Sequence, residues 1–271
     1  MGIYINTSNL NELLNSTSTF SRPNILPLEN ELLNRTVKTI KLSEITTVGK
    51  GAFRFCSALT TVSFPNCTTI GDSAFYRCSA LTAASFPNCT SIGKSAFQYC
   101  STLTAVSFPN CIAMGSYAFG NCAVLTMASF PNCTTISRGV FQSCSALTTV
   151  SFPNCTTIVT FAFYNCSALT TVSFPNCTTI GDGAFKGCSA LMTVSFPNCT
   201  TIGDGAFEQC QGLTTLYLTS SSLCTLASST AFYMTGITST TGSIYVNSSL
   251  VNSYKMAENW SYFSNRIQAG G

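Results

Sequence analysis

From Leu59 to Cys210 the chain repeats one pattern of apolar and polar positions. In the first full unit the apolar or Cys positions are Leu59, Val62, Phe64, Cys67, Ile70, Ala74, Phe75 and Cys78. The period-2 stretch at Val62 and Phe64 predicts a short strand, because alternate side chains take opposite faces and leave Ser63 and Pro65 outward. Ala74, Phe75 and Cys78 have the spacing of one helical turn. That is too short to stand as a helix, so it predicts a tight turn or 3₁₀ segment on the opposite wall, with Gly71 as the bend before it.

The Phe of SFPNC recurs at Phe64, Phe86, Phe108, Phe130, Phe152, Phe174 and Phe196, always 22 positions apart. Full units start at Leu59, Leu81, Leu103, Leu125, Leu147, Leu169 and Leu191, with a degenerate unit from Val37 and an irregular one from Leu213. A fixed period in this range means stacked coils, since one unit cannot bury enough apolar surface to offset the entropy of ordering it. The spacing L-x-x-V-x-F-x-x-C-x-x-I is a leucine-rich-repeat pattern, with Cys67 where that pattern carries Asn or Cys. The expected fold is an α/β-type leucine-rich-repeat solenoid: a right-handed coil of short parallel strands and 3₁₀ or turn segments in 22-residue repeats, capped at both ends.

Residues 1–36, with LNELLN and LPLENELLN, are expected to form an N-terminal cap. The solenoid is expected over 37–243, with regular units over 59–212. Residues 244–271 are expected to close the far end with a last strand at Ile244-Tyr245-Val246 and a helix over SLVNSYKMAENW, capped by Ser248 or Ser249.

The recurring Ile-Gly-x-x-Ala-Phe-x-x-Cys-x-x-Leu stands at Ile70-Gly71-Ala74-Phe75-Cys78-Leu81, again from Ile180 to Leu191 and from Ile202 to Leu213. In this the chain resembles the BspA-like (Treponema pallidum-type) leucine-rich repeats of bacterial and protozoan surface proteins. Ser137 and Val159 in place of the Gly, and Val140 in place of the Ala, depart from the pattern without changing the expected fold. The resemblance implies a non-enzymatic cell-surface or secreted protein that adheres to a protein or glycan ligand. A structural spacer, or an assembly part of a surface layer or phage-like tail, is the alternative.

The chain has 271 residues, 45% hydrophobic and only 8% charged, with net charge +3. So few charges and so large an apolar fraction exclude a disordered tail. Without a run of basic residues, nucleic acid is not an expected partner. There is no His, which removes Ser/His/Asp and Cys/His catalysis and His-ligated metals. Asp72, Asp182 and Asp204 recur at one repeat position and read as turn residues after Gly. No catalytic residue, cofactor or metal site is expected. The opening MGIYINTSNLNELL lacks signal-peptide patterning, and no stretch approaches the roughly 18 apolar residues of a spanning helix.

Fifteen of the sixteen Cys fall into two columns, one from Cys67 to Cys199 and one from Cys56 to Cys210; Cys224 lies outside them. No C-x-x-C occurs. Side chains stacked in register run parallel, whereas a disulfide needs facing Cβ vectors, so the columns read as buried thiols, with bridges or metal as the alternative.

Two outward surfaces are candidate binding sites. One is the strand column Ser63, Ser85, Ser107, Ser129, Ser151, Ser173 and Ser195, unless serine there only suits a solvated strand. The other is the variable strip around the Ala-Phe pairs, with Phe55, Tyr76, Arg77, Tyr99, Tyr117, Phe161 and Tyr164. Aromatic rings mixed with Arg suit protein or sugar contacts, unless the rings lie against the next coil as lateral packing.

Overall fold

In a computed structural model, residues 19–20, 38–239 and 242–270 are described. Each 22-residue unit makes one coil with three walls. The expected strand forms the first, a three-residue wall typified by Thr61–Ser63, Ala83–Ser85 and Ala105–Ser107. A second wall of two-residue strands, such as Thr69–Ile70 and Ser91–Ile92, was not expected, although β-branched pairs before the Gly were its signal. The third wall is a run of tight turns over 72–77 and its equivalents. All ladders are parallel and pair residues one coil apart, as in Val62↔Ala84 and Ile70↔Ile92.

The interior follows from the repeat. Phe53, Phe75, Phe97, Phe119, Phe141, Phe163, Phe185, Phe207 and Phe232 stack as near-parallel rings 5.0 to 5.7 Å apart. The SFPNC phenylalanines stack beside them in two runs, Phe64 to Phe152 at 5.2 to 6.0 Å and Phe174–Phe196 at 5.8 Å. All sixteen Cys are buried, and no disulfide joins them. They do more than fill space. Each thiol from Cys78 to Cys210 in the second column donates to the carbonyl of a Phe in the preceding coil, as from Cys78 to Phe53 O (3.0 Å) and Cys144 to Phe119 O (3.1 Å). Each of these carbonyls already accepts a backbone N–H, as Phe53 O does from Cys56 N (3.2 Å), and the thiol adds a weak second donor in the space of a methyl group.

Gly71 has a different role from the expected bend. A Cβ there would stand 2.7 Å from Lys50 N, so the glycine allows two coils to approach, and the left-handed residues of the turn are Ser73 and Arg77. Where Ser137 takes the Gly column, its hydroxyl donates to Met114 O (2.6 Å), and the short-strand wall is interrupted between Ala113–Met114 and Thr135–Ile136. The long-strand wall is interrupted between Ala83–Ser85 and Ala105–Ser107 and between Thr149–Ser151 and Thr171–Ser173.

The expected N-terminal cap lies outside the described residues except Thr19–Phe20, a strand in parallel register with Thr47–Val48. At the other end, Ser243–Asn247 holds the expected strand Ile244–Val246, but it is not the last. Ile267–Gly270 adds one more parallel strand to the same wall. The helix between them is Val251–Met256, preceded by a 3₁₀ turn at Ser248–Leu250. Neither Ser248 nor Ser249 caps the helix, whose N-cap position is Leu250 without a side-chain cap; Asn247 caps the 3₁₀ turn before it, its Oδ1 accepting from Ser249 N (3.0 Å). Trp260 and Phe263 close the Phe232 end of the ring ladder, and Trp260 Nε1 donates to Cys224 O (2.7 Å). Among the described residues no helix is long and apolar enough to cross a membrane.

Candidate functional site

The turn wall presents the variable residues, and its backbone hydrogen bonds explain how. Along 51–56 alternate N–H groups are used in two directions. Gly51, Phe53 and Phe55 donate forward to Asp72, Ala74 and Tyr76 of the next coil (2.8, 2.7 and 2.8 Å). Ala52, Arg54 and Cys56 donate back within their own coil to Gly49, Gly51 and Phe53 (3.2, 3.1 and 3.2 Å). The same alternation recurs at 73–78. Turning the N–H groups outward in this way puts two residues of the turn at positive φ, one on each side of the Ala-Phe pair.

Those two columns hold most of the expected aromatic strip. Phe55, Arg77 and Tyr99 stand in one, at φ of 65°, 58° and 63°, and Tyr117 and Phe161 in the other, at 59° and 58°. Bulky side chains rarely occupy this region, which favours Gly and Asn. Tyr76 and Tyr164 lie between the columns.

The strip divides into two groups. In the first, rings alternate edge to face along the coil axis, Phe55–Tyr76 at 5.7 Å and 86° and Tyr76–Tyr99 at 5.6 Å and 80°. Arginines are laid between the rings: Arg54 lies 4.7 Å from the Phe55 centroid and 5.1 Å from Tyr76, and Arg77 lies 5.6 Å from Tyr76 and 5.1 Å from Tyr99. Phe55 and Tyr99 remain 39% and 37% exposed. A shallow groove of about 470 Å³ runs beside them, lined by Phe55, Arg77, Tyr99 and by Ser57, Ser79 and Ser101.

The second group holds Tyr117, Phe161 and Tyr164, joined by Arg138, whose Nε donates to the Tyr117 hydroxyl (3.1 Å) and whose guanidinium lies 5.8 Å from the Phe161 centroid. Its rings are packed laterally. Tyr117 covers Gly139 and Phe161 covers Gly183, both at positive φ with no room for a Cβ. An aromatic followed 22 positions later by Gly was the signal for this arrangement. Tyr164 meets Phe161 edge-on at 5.6 Å, beside a small groove of about 210 Å³ that also reaches Gln142 and Lys186.

The serine column from Ser63 to Ser195 lies on a different wall, in the long strands. Ser63, Ser129 and Ser195 are half-buried and Ser85, Ser107, Ser151 and Ser173 exposed. It ends in a pair not anticipated from the repeat: Tyr217 and Tyr245, in register with Ser195, stack at 5.0 Å and 14°.

Charge is sorted along the turn wall, although it looks scattered in sequence. Over 50–55, 72–77 and 94–99 stand Lys50, Arg54, Arg77 and Lys94 against Asp72, whereas 182–187 and 204–209 carry Lys186 against Asp182, Asp204 and Glu208. Lys186 pairs with Glu208 across coils at 2.9 Å. The repeated acids support the stack: Asp72 Oδ1 accepts from Lys94 N (2.7 Å) and Asp182 Oδ1 from Asp204 N (2.9 Å). Among the described residues no cluster of three metal-ligating side chains occurs. Burial pushes the Cys89 and Cys144 thiols up to about 12, which keeps them protonated and unreactive.

The wall offers rings, guanidinium groups and hydroxyls of the kinds that serve stacking, cation–π contact and hydrogen bonding. The family described as BspA type leucine rich repeat region matches over residues 30–148 and 134–259, in six copies. No curated protein matches. Among solved structures, a leucine rich cell surface protein from Faecalibacterium prausnitzii A2-165 is 23% identical, with 71% of this chain and 66% of that one covered and a TM-score of 0.57. The chain thus spans just under two thirds of that protein's length. The T. pallidum leucine rich repeat protein is 24% identical over 65% of this chain and 77% of its own, with a TM-score of 0.46. With the repeat, its three-walled coil and a family match over most of its length, this chain belongs to the BspA-type leucine-rich-repeat family.

Proposed function

We propose that the chain is a non-enzymatic binding module acting at a cell surface or after secretion, and that it meets a protein or glycan ligand with the turn wall of its first three coils. The observation that supports this is the placement of Phe55, Arg77 and Tyr99. They are bulky, solvent-facing and set at left-handed backbone positions, so neither the core nor the backbone explains their presence. Residues held at such positions point to function. The surface location is suggested by family membership and by the cell-surface description of the Faecalibacterium relative.

The test is a glycan-array and pull-down screen with the parent and with Tyr99→Asn and Arg77→Asn. Asn121 already occupies the same repeat position at φ 61°, so these variants keep the fold. Loss of a captured ligand in both supports the reading, and equal capture by parent and variants removes the first-coil wall from it.

A second reading, as an assembly part, has one observation in its favour. Ile267–Gly270 ends the long-strand wall as an edge strand, and an edge is a template for another chain. Light scattering over a concentration series separates the two, since assembly without ligand favours the second.

A further inference from the structure

We infer that the ligand of the first-coil turn wall is a linear acidic polysaccharide, a polyuronate chain lying along the solenoid axis with about one sugar per coil. This rests on the binding role proposed above and names its ligand class. Three features of the wall combine to select that chemistry.

The first is charge. Leaving Arg54 aside, the wall carries Lys50, Arg77 and Lys94 against one carboxylate over the first three coils among the described residues, and that carboxylate, Asp72, is already engaged by the Lys94 backbone. Among the described residues no carboxylate pairs with Arg77, which leaves its guanidinium donors for an anionic ligand.

The second is the state of the backbone. Along 51–56 the N–H groups already donate, forward to the next coil or back within their own. A peptide ligand that gains affinity by adding a strand to a sheet edge finds no edge here. Along that run recognition falls to side chains: rings that pack on the apolar faces of sugars, the Ser79 and Ser101 hydroxyls along the groove, and guanidinium groups for carboxylates.

The third is spacing. Successive rings of the ladder stand 5.6 to 5.7 Å apart, and coils repeat at the strand spacing of about 4.8 Å. One hexose of an extended chain advances by a similar length, so each unit meets one ring of the ladder, Phe55, Tyr76 or Tyr99 in turn. An extended peptide advances about 3.3 Å per residue and stacked nucleotides about 3.4 Å, and neither keeps step with the coils.

The experiment is calorimetric titration of the chain with a hexauronate, a neutral hexasaccharide of the same linkage, a hexaglutamate and a hexanucleotide. Only the hexauronate is expected to bind, with an affinity that falls as salt rises. Arg77→Gln and Tyr99→Asn are each expected to weaken it by about tenfold or more, while Lys255→Gln, on the C-terminal helix, leaves it unchanged. Absence of hexauronate binding overturns the inference, as does equal binding of the neutral sugar, the peptide or the nucleotide. If hexauronate fails while a ligand from the screen still depends on Tyr99, the ligand class is wrong and the binding role stands. If every ligand binds all the variants alike, both are wrong.

Discussion

At one position of the repeat, the first three coils and the later ones share a backbone and differ in everything else. Phe55, Arg77 and Tyr99 sit at φ of 58° to 65°, and Asn121, Ser143, Asn165, Gly187 and Gln209 sit at 58° to 78°. The angle is set by the forward hydrogen bond to the next coil, such as Tyr99 N to Gly120 O (2.9 Å) and Asn165 N to Lys186 O (2.8 Å), and not by the residue that occupies it. The later coils mostly fill it with types that tolerate the left-handed region, while the first three accept strain to display large side chains. Local backbone preference and surface chemistry have thus been separated along one wall of one molecule.

If the two regions differ only on their outer surface, a cut in the shared interior must affect them equally. Phe75→Ala and Phe185→Ala remove equivalent rings, each stacked on both sides at 5.0 to 5.3 Å. Each is expected to lower stability by about 3–5 kcal/mol in denaturant unfolding. A markedly smaller loss for Phe75 would mean that the first coils are already loosened, and the comparison would fail.

Alkali tests the same symmetry through the thiols. Burial raises Cys89 and Cys144 from 9.0 to about 12 in the folded chain. Above pH 9 the unfolded chain therefore releases thiol protons that the folded chain keeps, so their contribution is complete below about pH 9 and declines as pH rises toward 12. Melting temperature measured from pH 7 to 11 is expected to hold and then fall, and replacing Cys89 or Cys144 by Ala should make the fall shallower by a similar fraction, the other buried thiols carrying the rest.

The Gly column gives a smaller contrast. A Cβ at Gly93 would stand 2.5 Å from Asp72 N, whereas the coils around Val159 already accommodate a side chain, with Val159 N bonded to Ile136 O at 2.9 Å. Gly93→Val is expected to cost about 1–3 kcal/mol, and Val159→Gly less, by the same denaturant titration.

The smallest effect is the sharpest test of the opening contrast. Tyr99→Asn should leave stability within about 0.5 kcal/mol of the parent, because relief at φ 63° offsets the lost edge contact with Tyr76. The reverse change, Asn165→Tyr, should cost about 1 kcal/mol. Equal and opposite losses of several times that size would show that the ring is structural.

Much of this was legible in advance. The spacing of Leu59, Val62, Phe64 and Cys67 carries the first strand and the inward ladder, because burial in a stacked coil depends only on which positions repeat. The second strand pair at Thr69–Ile70 was missed, since two residues show no period. The residues of the aromatic strip were legible as variable positions, but not their division into an exposed group and a laterally packed one. That depended on a glycine 22 positions away, under Tyr117 and under Phe161.

The repeat alone determined that the chain winds into coils, that the Phe and Cys columns are buried and that catalysis through histidine is excluded, because these follow from periodicity and composition. Only the tertiary structure decided which outward residues meet. Lys50 and Arg54, Arg77, and Lys94 come from three successive coils and share one wall because each coil returns the chain to the same place. The left-handed setting of Phe55, Arg77 and Tyr99 likewise comes from hydrogen bonds to a neighbouring coil, a cause no local stretch of sequence contains.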